Sequence, residues 1–315
     1  MHSQTYTNSL SYMCNGTTFG PTIHGDRQAL LASLLKHTGL DRKCRYIQCI
    51  DPMRAAASHL LKFHDEDYLN TLNPEGNRSL QRRLRKESGG EEAYSAWCAE
   101  YDLVDDCELP DCFEGMRKFW QYNSALAGAS LHACGLITAN QSSRSAPGSH
   151  IAINWGGGRH HAHRGKAGGF CFVNDTVLAL LQLRRKLRRV LYLDIDIHHA
   201  DGVQEAFYDT DSVMTVSFHK FAPGFFPGTP HGHQKHVGRG KGLNHNLNIP
   251  LPRGTSDLQF LAVFKRVFAG LWETYDPEGV VLAVGADGLG GDPIVGEDGW
   301  KLTSRGLAAA VEFVR

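Results

Sequence analysis

From residue 148 onward, short β-branched runs alternate with helical stretches, and this alternation constrains the fold more than any other feature of the chain. HIAINW, RVLYLDIDI, SVMTVSF and GVVLAVG are near-continuous apolar runs. Helical patterning covers 174–189, 257–275 and 304–315. Strands alternating with helices require a parallel sheet covered on both faces. The expected class is therefore α/β, a three-layer α/β/α arrangement around a mainly parallel central sheet. Each apolar run passes into polar or glycine-rich sequence: GGGRHHAH, HHADG, HKF with PGFFPGTP, and ADGLGGD. In open α/β sheets the ligand crevice lies outside the carboxyl ends of the strands. Four clusters far apart in sequence can converge there.

The stretch YLDIDIHHADG is the most unusual of these strand ends. Residues two apart on a strand point to one side, so Asp196 and His198 can reach the same point. A DxH pair alone is often satisfied by hydrogen bonds within its own loop. A third ligand from another strand end would instead give a three-ligand metal site with an open position, the usual form of catalytic zinc. Asp287, after GVVLAVG, is the best candidate. In NWGGGRHHAH the glycines permit a tight turn, and neighbouring His160 and His161 diverge, so they suit different tasks. One can accept a proton and the other can supply positive charge or donate, each needing a carboxylate to orient it. Asp194 and Asp201 are spare acids nearby. Phe170 in GGFCF, with Phe225 and Phe226 in PGFFPG, could wall a narrow apolar slot, although phenylalanines in such runs are more often plain core.

Elsewhere the chain sets limits. Its 315 residues, 42% hydrophobic, suffice for one large core or two. Lys+Arg and Asp+Glu balance at 33 each, which argues against a broad grip on nucleic acid and leaves room for a local basic patch. The eight cysteines are scattered without CxxC spacing and read as reduced thiols of a nuclear or cytosolic protein. The N-terminus lacks a basic region followed by an apolar run, and no stretch is apolar for long enough to span a bilayer. Residues 1–24 read as an irregular segment, and 25–315 as one catalytic domain. RQALLASLLKHTGL has helical periodicity. Residues 72–112 read as a loose, exposed excursion, in which RRLRK is a solvated helix face or a partner site.

These motifs together resemble the zinc-dependent histone deacetylases, class I most closely. The resemblance rests on NWGGGRHHAHRGKAGGFCFVND, VLYLDIDIHHADGVQEAFYDTDSVMTVSFHKFAPGFFPGT and VVLAVGADGLGGDP, with weaker upstream blocks DRQALLASLLKHTGL and FHDEDYLNTL. It covers roughly 25–71 and 106–315. It implies an arginase/deacetylase-like fold and zinc-dependent hydrolysis of N6-acetyl-lysine to lysine and acetate. It also implies Asp196, His198 and Asp287 as zinc ligands. His160 and His161 would be the paired histidines, supported by Asp194 and Asp201, with neutral His161 as general base. Gly169, Phe170 and Phe226 would line the acetyl-lysine channel. Structural potassium would lie at Asp194, Asp196, His198, Ser217 and Phe218, with a second ion at Phe207, Thr210, Val213 and His245. Arg27 would face an internal cavity. The rim aspartate that holds the substrate backbone is Asp106 or Asp111. Expected partners are acetylated histone tails and co-repressor subunits in the nucleus, with the cytoplasm as a second location, and with no sequence-specific nucleic-acid binding and no membrane.

One departure stands out. The family's GGGGY block, whose tyrosine steadies the developing oxyanion, has no counterpart before Arg315. The expectation is a C-terminally incomplete domain, since the sequence stops inside an apparent helix. This keeps two alternatives open: a weak or non-catalytic acetyl-lysine binder, and an amidohydrolase for acetylpolyamines or other small acylamides.

Overall fold

A computed structural model describes residues 4–8, 27–40, 45–48, 55–87, 90–141 and 151–315. The chain divides into two compact units, Met1–Gln182 and Leu183–Arg315. In the first, strands β1 (Gln4–Asn8), β2 (Arg45–Gln48) and β3 (Ile151–Asn154) form a parallel sheet in the order β2-β1-β3. Its helices are α1 (Arg27–His37), α2 (Ala57–Leu60), α3 (Glu66–Leu72), α4 (Pro74–Glu87), α5 (Gly90–Glu100), α6 (Phe113–Gln141) and α7 (Asp175–Leu183), the last running to the unit boundary. Within the segment read as irregular, the described part is therefore a strand. No helix among the described residues is long and apolar enough to cross a membrane.

The loose excursion expected over 72–112 is instead largely helical. Pro74 occupies a first-turn position, where its missing N–H costs nothing. Arg, Leu, Gln, Lys and Glu then supply high helix propensity. Leu80 and Asn77 are buried on the inner side of α4. Asn77 donates to the Thr71 carbonyl at 2.8 Å and to Tyr94 Oη at 2.9 Å. Trp97 Nε1 donates to Thr71 Oγ1 at 3.0 Å, which ties α5 to α3.

The second unit carries β4 (Val190–Asp194), β5 (Val213–Lys220), β6 (Asn246–Leu251) and β7 (Gly279–Ala283) in the parallel order β6-β5-β4-β7. Its helices are α8 (Asp201–Phe207), α9 (Asp257–Tyr275) and α10 (Ser304–Val314). Every residue of β4 and β5 is buried, as central parallel strands require. Phe260, Phe264 and Phe268 recur every four residues along α9 and pack with Leu193, Val216, Phe218 and Trp300. Ser256 and Gln259 form a reciprocal capping box at the start of α9. The sequence reading did not anticipate β6, because NLNIPL mixes asparagine and proline with apolar residues. The edge position of β6 explains why Pro250 is tolerated. The helix expected over 174–189 ends at Leu183, where Lys186 and Leu187 N–H turn back onto the Leu183 carbonyl.

Candidate metal centre and its supporting loops

In the second unit β4 ends at Asp194, so Asp196 and His198 lie on the turn beyond it and not on the strand itself. Their convergence has a different cause from strand alternation. Asp194 Oδ1 accepts the Asp196 N–H at 2.9 Å, and Asp196 Oδ1 accepts the His198 N–H at 2.8 Å. Asp287 arrives from the loop after β7, and its Oδ1 accepts the Ile197 N–H at 3.2 Å. His198 Nδ1 then lies 2.8 Å from Asp287 Oδ2 and 3.2 Å from Asp196 Oδ1. Ligand atoms of Asp196, His198 and Asp287 all lie within 4.8 Å of one another.

The electrostatics of this cluster call for a cation. Burial pushes the Asp287 pKa up, and the neighbouring Asp196 charge pushes it further, against the pull of His198. Burial disfavours charge on His198, but hydrogen bonds and charge from Asp196 and Asp287 prevail and raise its pKa to about 9. Two carboxylates and one imidazole are donors that zinc accepts, so the residues fit the metal named by the resemblance.

Gly285 was missed in the sequence reading, and it is part of the geometry. A Cβ there would sit 2.2 Å from Asp196 Oδ2 and 2.7 Å from Asp196 Cα. Only glycine lets the Asp287 loop close on Asp196. Its signal was the glycine that closes the apolar run GVVLAVG just before Asp287. Phe225 stacks nearly parallel on the His198 ring, with centroids 5.1 Å apart. Phe226 meets the same ring edge-on at 5.8 Å and is 40% exposed. The Lys220 ammonium, on a buried side chain, lies 3.9 Å from the Phe225 centroid. Phe225→Leu should therefore loosen His198 and lower zinc affinity about tenfold, the low end for losing a group that orients a ligand. Titration with a zinc-competitive dye checks this; unchanged affinity would assign Phe225 to packing alone.

Of the remaining acids, Asp194 is fully buried, with the Tyr192 hydroxyl donating to its Oδ2. Asp201 opens α8, where its Oδ1 accepts the Gly202 N–H at 3.0 Å. Asp194 lies in register with Ser217 on the neighbouring strand, and Phe218 follows in the core. The Phe207 and His245 carbonyls accept N–H groups from Thr210 at 3.2 Å and Thr215 at 3.0 Å. Val213 opens β5. His199, given no role by the sequence, belongs to a buried polar network. Gln204 Oε1 lies 2.9 Å from His199 Nε2 and accepts from Asn246 at 3.0 Å and Asn248 at 2.8 Å. The Gln204 amide donates to the His231 carbonyl at 3.1 Å.

In the first unit, His160 and His161 follow β3 and are both 4% exposed, with ring centroids 3.9 Å apart. Their loop is held by residues the sequence reading passed over. Asp175 accepts N–H groups from Gly158 at 3.2 Å and Arg159 at 2.8 Å. A Cβ on Gly157 would stand 2.5 Å from Asp175 Oδ2. Asn174 Nδ2 donates to the carbonyls of His160 at 3.3 Å and Ala162 at 2.8 Å. Buried His64 accepts the Asn174 N–H on Nε2 at 3.0 Å, with Nδ1 3.2 Å from the Arg164 carbonyl. Burial lowers the His64 pKa to about 4, outweighing the backbone hydrogen bonds. Asn174 and Asp175 at the start of an apolar helix were the available signal.

Gly169 and Phe170 both have positive φ, 50° and 61°, in a tight turn. Asp106 lies in a 3-10 turn beside buried Cys107, whose thiol pKa is pushed up by burial. Asp111 is exposed in the segment before α6. Arg27 opens α1, and its side chain is outside the described residues.

Comparison with known proteins bears on the family and the fold. The histone deacetylase domain family model matches residues 22–315. Histone deacetylase 1 of Homo sapiens is 40% identical over 296 residues, covering 94% of this chain and 55% of the relative. Histone deacetylase 6 of Arabidopsis thaliana is 41% identical over 301 residues, covering 94% and 56%. The chain thus spans about half the length of the curated relatives it matches. The parallel strands and flanking helices agree with the three-layer α/β/α fold expected of such a domain. A domain match across nearly the whole sequence, with relatives at this identity, makes the chain a member of the histone deacetylase family.

Proposed function

We propose that this chain is a zinc-dependent protein-lysine deacetylase that hydrolyses N6-acetyl-lysine to lysine and acetate. The observation that carries the reading is the half-buried meeting of Asp196, His198 and Asp287, two acids and one imidazole whose charges call for a cation. Zinc held by these residues would supply Lewis acidity toward the acetyl carbonyl and toward water. In this reading neutral His161 takes a proton from the attacking water and later returns it to the leaving lysine amine. His160 serves as its electrostatic partner, with Asp194 and Asp201 in the supporting roles the resemblance implies.

Gly169, Phe170 and Phe226 would accept the lysine methylenes, and Asp106 or Asp111 would hold the substrate backbone at the rim. Potassium would be held by Asp194, Asp196, His198, Ser217 and Phe218, and at the outer position by Phe207, Thr210, Val213 and His245, largely through backbone oxygens. Arg27 keeps its proposed place at an internal cavity. The domain read as 25–315 would act on acetylated histone tails, with co-repressor subunits, in nuclear repression of chromatin. The test is hydrolysis of an acetyl-lysine peptide by the zinc-loaded protein, with His161→Ala as control. Activity that disappears in the control supports the reading. No hydrolysis by folded, zinc-bound protein overturns it.

A further inference from the structure

We propose that the outer face of α4 is a docking surface for the phosphate backbone of duplex DNA. Arg78, Arg82, Arg85 and Lys86 are all exposed. Their spacing of four, three and one places them in a single stripe along the helix, about 12 Å from first to last at 1.5 Å per residue. Among the described residues, none of the four is held in an ion pair. The Arg78 guanidinium lies over the Phe113 ring at 5.3 Å, which braces one end of the stripe. Arg83 lies outside the stripe, over Trp97 at 5.4 Å.

The kind of partner follows from what α4 has already used. A basic amphipathic helix can insert into a membrane surface or a calmodulin-like groove, but only by offering its apolar face. Here Leu80 and Asn77 on that face are buried, and Asn77 is bonded to Thr71 and Tyr94. What remains is a cationic edge on an anchored rod, with exposed Glu75 as the one acid at its N-terminal end. Three of its four charges are guanidinium forks, which match phosphate oxygens two at a time. The whole chain has zero formal charge, so attraction to a polyanion must be local to such a stripe. A histone tail, the substrate class proposed above, lies beside DNA. The biological setting rests on that reading, but the binding does not.

The test is fluorescence anisotropy of a labelled duplex DNA titrated with the protein at several salt concentrations. Four phosphate contacts should give a slope of log affinity against log salt of about −3 to −4. The variant Arg82→Glu/Arg85→Glu/Lys86→Glu should lose at least about tenfold affinity at low salt, and its slope should flatten by about three. A control carrying the same charge change elsewhere, Lys241→Glu/Lys301→Glu/Arg305→Glu, should keep the slope. If reversal disturbs α4 by circular dichroism, the neutral variant Arg82→Gln/Arg85→Gln/Lys86→Gln should still show the loss. Equal losses in variant and control would overturn the proposal. So would tighter binding of polyglutamate than of DNA, which would reassign the face to an acidic protein. The assay involves no catalysis, so a negative result leaves the deacetylase reading standing.

Discussion

Replacing Asp287 with alanine should lower zinc affinity by more than about a hundredfold. Loss of a group that merely orients a metal ligand costs about 10- to 100-fold, and Asp287 is proposed as a ligand itself. Its second oxygen also holds the turn, through the Ile197 N–H at 3.2 Å. The variant therefore removes one donor and loosens the presentation of the other two. The same variant removes the burial of a carboxylate and its repulsion with Asp196, which together raise the Asp287 pKa. The metal-free variant should consequently unfold at a temperature close to that of the metal-free parent. Zinc should raise the melting temperature of the parent alone, because a ligand stabilises only the state that binds it. Calorimetry with and without zinc reads both effects. A variant that still binds zinc stoichiometrically would remove Asp287 from the ligand set, and Asp196→Ala gives the parallel test.

Acid should destabilise the first unit through His64. Its folded pKa of about 4 lies below the ordinary value of 6.5. The unfolded chain therefore takes up a proton at higher pH than the folded one. The contribution of His64 is fully present above 6.5 and is lost as pH falls toward 4. A difference of about 2.5 units corresponds to about 3 kcal/mol at most. Protonation would also convert Nε2 from the acceptor of the Asn174 N–H into a competing donor, and Asn174 carries the His160 loop. His64→Gln keeps an acceptor but does not titrate. The urea midpoint of the parent should fall more steeply between pH 6.5 and 4 than that of the variant. Parallel curves would show that His64 is not the titrating group.

Much of this was legible in the sequence because periodicity and position report on backbone path. The runs VLYLD and SVMTVSF could be read as central strands, since a strand buried on both faces has no polar side to show. Asp196, His198 and Asp287 could be read from residue type at strand ends. What could not be read was how they meet. The turn is built by backbone N–H groups bonding to the same carboxylates, and by a glycine whose absent side chain makes room for Asp196. Such contacts leave no periodic trace. RRLRK was legible as a solvated helix face, but the rest of α4 and all of α5 were missed for another reason. Their glycines, proline and dense charge look like loop composition, while their stability comes from tertiary bonds such as Trp97 to Thr71. Asn174 and Asp175 stayed silent because their partners lie up to 110 residues away.

The amide of Gln204 serves three segments at once. Its oxygen meets His199 in the turn before α8 and both asparagines of β6, while its nitrogen donates to the loop at His231. An amide shared in this way has one workable orientation, and each bond polarises the others. These segments should therefore not fray one by one. In hydrogen exchange, α8, β6 and the 230–236 loop should open together with a common free energy, as one cooperative block within the second unit.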